Sequence, residues 1–294
     1  MKITSIKVRK TDIPLKEPLR ISLGVITHSR SAVVSVETDE GLVGYGEGAP
    51  GILITGETME GTVESIHIFE RDLIGTDPTD LEKVYWILDH AAAHAPCGKA
   101  AIDMACYDLL GKKAGLPVYK LLGGHANYID TDITVGIDRP EIMGEKAKEH
   151  VKAGFDTIKT KVGTSFEEDI ARIKAIREAV GDDVKIRIDA NQAWNAKQAV
   201  RILNQMQEKG LDIEFVEQPV PAADLEGMQY VTRHADVPVL ADESVFSPAD
   251  ALRIMQTGAA DLVNIKLMKC GGITNALRIA AAAEVYGVEC MIGC

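Results

Sequence analysis

Lys159-Thr160-Lys161 lies within a short stretch, Asp156 to Gly163, that reads as a β-strand. Strand side chains alternate faces, so both lysines point the same way. Two like charges on a buried face are costly unless an anion stands opposite them. The chain supplies such anions. Asp189, Glu217 and Asp242 each close a short apolar run, and Lys266 closes another. Lysines and carboxylates gathered at strand ends suggest a metal-assisted site for proton chemistry. The plain alternative is surface charge at loop entrances, which accounts poorly for recurrence at five successive strand ends.

Asp189, Glu217 and Asp242 are one strand-and-helix unit apart, so they come from neighbouring strands and can converge. Three hard oxygen ligands without His or Cys favour Mg²⁺, with Mn²⁺ a less suited substitute. They could instead cap the helices that follow, a common use of Asp. Glu217, followed by Gln218-Pro219, fits that use poorly. Asn191 and Glu243 lie one step outward as partners for the ligands and lysines. Lys159 and Lys161 close the second strand of this half and Lys266 the sixth. In an eight-strand ring those positions face each other, so a substrate on the metal would meet a lysine on each side. A carbon acid next to a carboxylate is very weak, and a divalent cation stabilises the enediolate formed on proton removal. A lysine beside a metal and a second ammonium is expected to be lowered from about 10.4 towards working pH. Two opposed bases permit 1,1-proton transfer, which is racemisation or epimerisation. One active face would give β-elimination or cycloisomerisation. Lys269, at a loop start, reads as structural, and the seven histidines show no clustering at strand ends.

The elements that must position these groups fall into two grammars. Residues 1–50 read as antiparallel β, with Pro14 and Pro18 breaking the first strand and a hairpin turn at Asp39-Glu40-Gly41. Residues 58–121 read as three helices, the last stopped by Gly115. Asp103 and Asp108 interrupt its apolar face and read as buried structural carboxylates. Glycine-bearing, partly apolar loops are expected near residues 20–28 and 48–58, either buried by the fold or covering a ligand. Leu121-Leu122-Gly123-Gly124 marks a boundary between domains 1–121 and 122–294. From residue 126, strands alternate with amphipathic helices every roughly 25–30 residues, which means parallel strands with right-handed crossovers. A (β/α) barrel is favoured over a doubly wound sheet because chemistry-bearing residues end nearly every strand. The first strand also lacks a Gly-rich phosphate turn after it. Seven strands can be counted before Cys294, whereas a closed barrel has eight.

The 294 residues, 46% of them hydrophobic, suffice for a large core or two domains. A net charge of −12 without basic clusters argues against nucleic acid and anionic membrane surfaces. Five cysteines without a C-x-x-C spacing point to reduced thiols in the cytoplasm. Met1 to Ile6 alternates like a strand rather than reading as a leader, and no apolar run approaches the ~20 residues of a membrane span.

Lys159-Thr160-Lys161, Asp189-Ala190-Asn191, Glu217-Gln218-Pro219, Asp242-Glu243 and Asn264-Ile265-Lys266 together resemble the muconate-lactonizing subgroup of the enolase superfamily. Ala101-Ile102-Asp103-Met104-Ala105 and Leu121-Leu122-Gly123-Gly124 are similar to the same family's lead-in to its barrel. The resemblance spans the chain. It implies an α/β protein with an N-terminal α+β capping domain over a modified TIM-type (β/α)₇β barrel, its eighth strand beyond Cys294. It implies Mg²⁺ on Asp189, Glu217 and Asp242, with Lys161 and Lys266 as the acid/base pair. Lys159 would hold the substrate carboxylate or tune Lys161, and the loops around Gly24 and Gly51 would be specificity lids. Thr134, Asn191, Glu243, Asn264, Gly24, Ile54 and Cys294 would line or support the pocket.

Within the subgroup, Pro50 to Glu57 is similar to the loop of dipeptide epimerases of the L-Ala-D/L-Glu type, which implies a dipeptide substrate and a homo-oligomer. Those enzymes carry an Asp-x-Asp pair on the eighth strand for the dipeptide ammonium. Gly24 stands where some relatives place a basic residue for an acidic second side chain. Ile52, Leu53 and Ile54 lean instead towards apolar dipeptides. N-acylamino acid racemase, o-succinylbenzoate synthase and muconate cycloisomerase are alternatives within the same chemistry. A catalytically inactive barrel that only binds is the alternative from another class.

Overall fold

A computed structural model of the chain describes residues 1–22, 24–126 and 128–294. The first unit is a three-stranded antiparallel sheet in the order β1 (Ile3–Ile21), β2 (Gly24–Thr38), β3 (Val43–Gly48). β1 runs through Pro14 and Pro18, where the sequence predicts a break. It is an edge strand, so the N–H that proline lacks is not needed by a second neighbour, and the register shifts between Pro14 and Leu19. The segment expected as a loop near 20–28 is therefore the end of a long hairpin, paired as far as Ile21 with Gly24. Leu23 in that segment lies outside the described residues.

Four helices follow: α1 (Met59–Leu73), α2 (Leu81–Ala91), α3 (Pro96–Ala114) and the single turn α4 (Val118–Leu121). α3 starts at Pro96, because proline is at home in a first helical turn. β3 reads Val-Gly-Tyr-Gly-Glu-Gly, with glycines on one face. A Cβ on Gly46 would lie 1.9 Å from the Ala101 carbonyl oxygen, and one on Gly44 would lie 2.1 Å from that of Ala105. Without side chains, the strand lies directly on α3. The core of this unit joins Ile6, Val34 and Val36 to Phe69, Leu88 and Ile102.

The second unit is a seven-stranded parallel sheet in sequence order. It comprises β4 (Ile133–Val135), α5 (Pro140–Lys152), β5 (Thr157–Lys161), α6 (Phe166–Val180), β6 (Lys185–Asp189), α7 (Ala196–Glu208) and β7 (Ile213–Glu217). It continues with α8 (Leu225–His234), β8 (Val239–Ala241), α9 (Pro248–Thr257), β9 (Leu262–Ile265), α10 (Leu267–Cys270), α11 (Ile273–Tyr286) and β10 (Glu289–Ile292). The single turn α10 is an element the strand-and-helix alternation does not predict. Val216, Val239, Ala241, Val263 and Ile265 point outward into the core under the helices. The sheet is curled, because side chains from β5 and from β9 both reach Glu217 on β7. The hairpin docks on its rim, where Ile137 N–H donates to the Arg20 carbonyl at 2.9 Å.

Candidate active site

Register places Lys161 beside Asp189 and Asp189 beside Glu217. Asp242 directly follows β8 and Lys266 directly follows β9. Lys161 Nζ lies 2.5 Å from Asp189 Oδ2, and Lys159 Nζ lies 3.3 Å from the same oxygen. Lys159 also donates to Glu217 Oε2. On the far side, Lys266 Nζ donates to Asp242 Oδ2 at 2.7 Å. Asn264 Nδ2 donates to Glu217 Oε1 at 3.1 Å. Asp189, Glu217 and Asp242 are fully buried. Lys161 and Lys266 thus stand at opposite ends of a carboxylate row carried by β6, β7 and β8.

Sequence reasoning left Lys269 out of this group. Its side chain is fully buried, with Nζ 2.5 Å from Asp242 Oδ1 and a second bond to the Asp242 carbonyl. The i, i+3 spacing from Lys266 on one helical turn is the signal that could have found it.

Asn191, at φ 41°, donates from Nδ2 to Glu243 Oε1 at 3.2 Å, and its N–H donates to Asp189 Oδ1 at 2.9 Å. Thr134 on β4 is the register partner of Lys159. Ser22, at the hairpin end, donates to the carbonyls of Ala190 and Asn191 at 3.3 and 3.4 Å. The 48–58 loop is a tight turn in which Ile54 and Thr55 N–H donate to the Gly51 carbonyl at 3.0 and 2.7 Å. Ile54 is part-buried, while Gly24 and Cys294 are exposed. Among the described residues, none of these last three hydrogen-bonds to the lysine–carboxylate cluster.

Burial alone would raise all three carboxyls. Asp189 nevertheless sits below its usual range because Lys161 and Lys159 hold it down, and Lys269 and Lys266 do the same to Asp242. Glu217, between them, is pushed up to about 8 by burial and by Asp189. Glu243 is pushed up to about 7 by burial and by Asp242. Burial lowers an ammonium, yet Asp189 and Glu217 hold Lys159 above its usual value, and Asp242 and Glu217 hold Lys266 above its own. Lys269 is instead held below its usual value, because burial outweighs Asp242.

Among the described residues, no three carboxylate, His or Cys side chains are turned together to hold a metal as they stand. Each carboxylate is turned to a neighbouring side chain instead. The donor set still suits a hard divalent cation, being all oxygen, fully buried and on adjacent strands. Glu243 Oε2, Asn191 Oδ1 and Asn264 Oδ1 are buried acceptors without a hydrogen-bond partner among the described residues. Such groups are costly unless a donor or cation meets them. Asp189, Glu217 and Asp242 are the residues that would hold a cation, once turned from their ammonium partners.

A sheet-and-helix cap beside a partial (β/α) barrel, with carboxylates on three consecutive strands between facing lysines, defines acid–base enzymes of enolase type. Residues 3–123 match the mandelate racemase / muconate lactonizing enzyme N-terminal domain, and residues 143–294 match the enolase C-terminal domain-like family. The chain belongs to the mandelate racemase / muconate lactonizing enzyme family. It is 55% identical over 294 residues to the hydrophobic dipeptide epimerase of Enterococcus faecalis, spanning 100% of this chain and 82% of that protein. A crystal structure of dipeptide epimerase from the same species, complexed with Mg and L-Leu-L-Tyr, superposes with a TM-score of 0.98 at 55% identity, over 100% of this chain and 82% of that one. The chain is also 46% identical to the L-Ala-D/L-Glu epimerase of Clostridium acetobutylicum, over 100% of this chain and 82% of that protein.

Proposed function

We propose that this protein is a Mg²⁺-dependent dipeptide epimerase that prefers apolar dipeptides and works by 1,1-proton transfer. The observation that carries the reading is the placing of Lys161 and Lys266 at opposite ends of the buried carboxylate row. Lys161 takes the α-proton from one face of the substrate, and Lys266 delivers a proton to the other. The roles exchange for the opposite epimer. Lys159, bonded to Glu217 and close to Asp189, keeps a positive charge beside Lys161 that can meet the substrate carboxylate. Mg²⁺ on Asp189, Glu217 and Asp242, or Mn²⁺ in its place, supplies positive charge that acidifies a carbon next to a carboxylate.

Preference for apolar side chains is supported by the lid segments. Ile52 and Leu53 are 68% and 64% exposed in the 48–58 turn, and Val25 and Ile26 are exposed near the hairpin end. Gly24 brings no charge there to meet an acidic side chain. The hydrophobic dipeptide epimerase named above is the relative with the higher identity of the two. We assign residues 1–121 to the cap that carries these lids and 122–294 to the barrel. Cys97, Cys106, Cys270, Cys290 and Cys294 are free thiols, which supports a cytoplasmic enzyme. No helix among the described residues is long and apolar enough to cross a membrane. A homo-oligomer is the proposed assembly.

Chiral chromatography of a panel of dipeptides and N-acylamino acids, with Mg²⁺ and with chelator, tests this reading. Epimerisation of Ala-Leu, Ala-Phe and Leu-Tyr that stops with chelator is expected. A strong preference for Ala-Glu would overturn the apolar specificity. Turnover of N-acylamino acids alone would overturn the dipeptide substrate.

A further inference from the structure

The turn that carries Lys266 and Lys269, and the start of the helix after it, are tied to the cap by several contacts. From Lys266 the chain makes the single turn α10, then passes through Gly271 and Gly272 into α11. α11 has no capping side chain of its own. Asp103 on α3 serves instead, accepting from Thr274 N–H at 3.0 Å and from Thr274 Oγ1 at 2.6 Å. An N–H in a first helical turn has no partner within the helix, so this bond fixes where α11 begins. Gly272, at φ +115°, packs on the same carboxylate so closely that a Cβ there would lie 2.4 Å from Asp103 Oδ2. Asn275 Nδ2 donates to the Cys270 carbonyl at 2.7 Å and to the hydroxyl of Tyr85 on α2. Cys97 Sγ on α3 lies 3.6 Å from the Met268 carbonyl.

The strand end that carries Lys161 is held mainly from within the barrel, and the cap reaches its surroundings through the Ser22 hydroxyl on the Ala190 and Asn191 carbonyls. Gly163 N–H donates to Asp169 Oδ2 at 2.9 Å, and Arg172 Nη1 on the same helix lies 3.0 Å from Asp169 Oδ1. The cap is therefore coupled to the two lysines unequally. Asp103 is 1% exposed and bonds to none of the carboxylate-row residues.

We infer that Asp103 is a positioning residue for Lys266: by capping α11 from the neighbouring unit, it sets the height and direction of the Lys266–Gly272 turn. This rests on the epimerase reading above. Asp103 touches neither the substrate nor the reacting atoms. A misplaced turn moves Lys266 Nζ relative to Asp242 and leaves Lys161 where it is.

The test is α-proton exchange in D₂O with Mg²⁺, followed by mass spectrometry for each epimer of Leu-Tyr separately. Lys266→Ala identifies the epimer whose exchange depends on Lys266. Asp103→Asn is expected to slow that exchange about tenfold or more and the Lys161-dependent exchange less than about twofold. Thr274→Val keeps the backbone donor and removes the hydroxyl, so it should show a smaller loss with the same one-sidedness. Equal loss from both epimers, or no loss from either, overturns the proposal. If Asp103→Asn does not fold, Thr274→Val decides alone. Absence of exchange in the unaltered protein is a separate outcome, and it removes the epimerase reading on which the proposal stands.

Discussion

Asp242 carries an ammonium on each carboxylate oxygen, Lys266 on Oδ2 and Lys269 on Oδ1. Lys269 is the more deeply buried of the two and is held below its usual pKa by that burial. Removing one member of a buried ion pair leaves charge uncompensated and typically costs about 3–5 kcal/mol. Lys269→Met should therefore cost about 3 kcal/mol in urea unfolding of the metal-free protein, and it should tighten Mg²⁺ binding by removing a competing cation. An unchanged unfolding midpoint together with unchanged Mg²⁺ affinity would contradict this account of Asp242. Asp189, Glu217, Asp242 and Lys266 were legible in the sequence because each closes an apolar strand run. Lys269 was not, because α10 is a single helical turn and its only mark in the sequence is the one i, i+3 spacing from Lys266.

Beneath the lysine–carboxylate layer, β6 and β7 are joined by a second charged group. Arg187 Nε lies 2.6 Å from Glu214 Oε2, Lys185 Nζ lies 3.1 Å from Glu214 Oε1, and Arg187 Nη1 lies 3.0 Å from Asp132 Oδ2. Burial would raise the Glu214 carboxyl, but Arg187 and Lys185 hold it below its usual 4.5. A lowered folded-state pKa adds stability that is present above about 4.5 and lost as pH falls through the folded value. Glu214 is part-exposed and its pair is screened by solvent, so the gain at neutral pH is less than about 1 kcal/mol. Glu214→Gln should lower the urea midpoint at pH 7 and bring the mutant and parent curves together by about pH 3. A difference that persists undiminished at pH 3 would show that packing rather than charge holds this pair. At this scale the strand-and-helix rhythm from β5 to β9 was readable from periodicity. The path of β1 through Pro14 and Pro18 was not, since local propensity argues for a break and only the edge position permits the strand. The long hairpin was hidden for the same reason.

Across the whole molecule, a chain of net charge −12 gathers Lys159, Lys161, Lys266 and Lys269 around one carboxylate row. Despite the overall acidity, the local lysines and the cation admit an anionic substrate carboxylate. A cation that binds the folded state stabilises it by mass action, by about 2.7 kcal/mol at a hundredfold excess over Kd. Mg²⁺ is thus expected to raise the thermal midpoint, chelator to reverse the rise, and Asp189→Asn to abolish most of it. No response of the parent protein to Mg²⁺ would remove these carboxylates as a cation site. The division into a cap and a barrel was legible from the change of grammar near residue 126. The fastening of α3 to α11 was not, because Asp103 and Thr274 are 171 residues apart and meet only in the fold.

The most direct measurement is deuterium exchange of the α-proton of Leu-Tyr in D₂O with Mg²⁺, for each epimer, in the parent protein and in Lys161→Ala and Lys266→Ala. The two-face account predicts exchange from both epimers in the parent. It predicts that each variant loses epimerisation by a factor of about 10² or more while keeping exchange from one epimer only, a different one in each variant. Equal loss from both epimers in either variant, or no exchange in the parent, would contradict it.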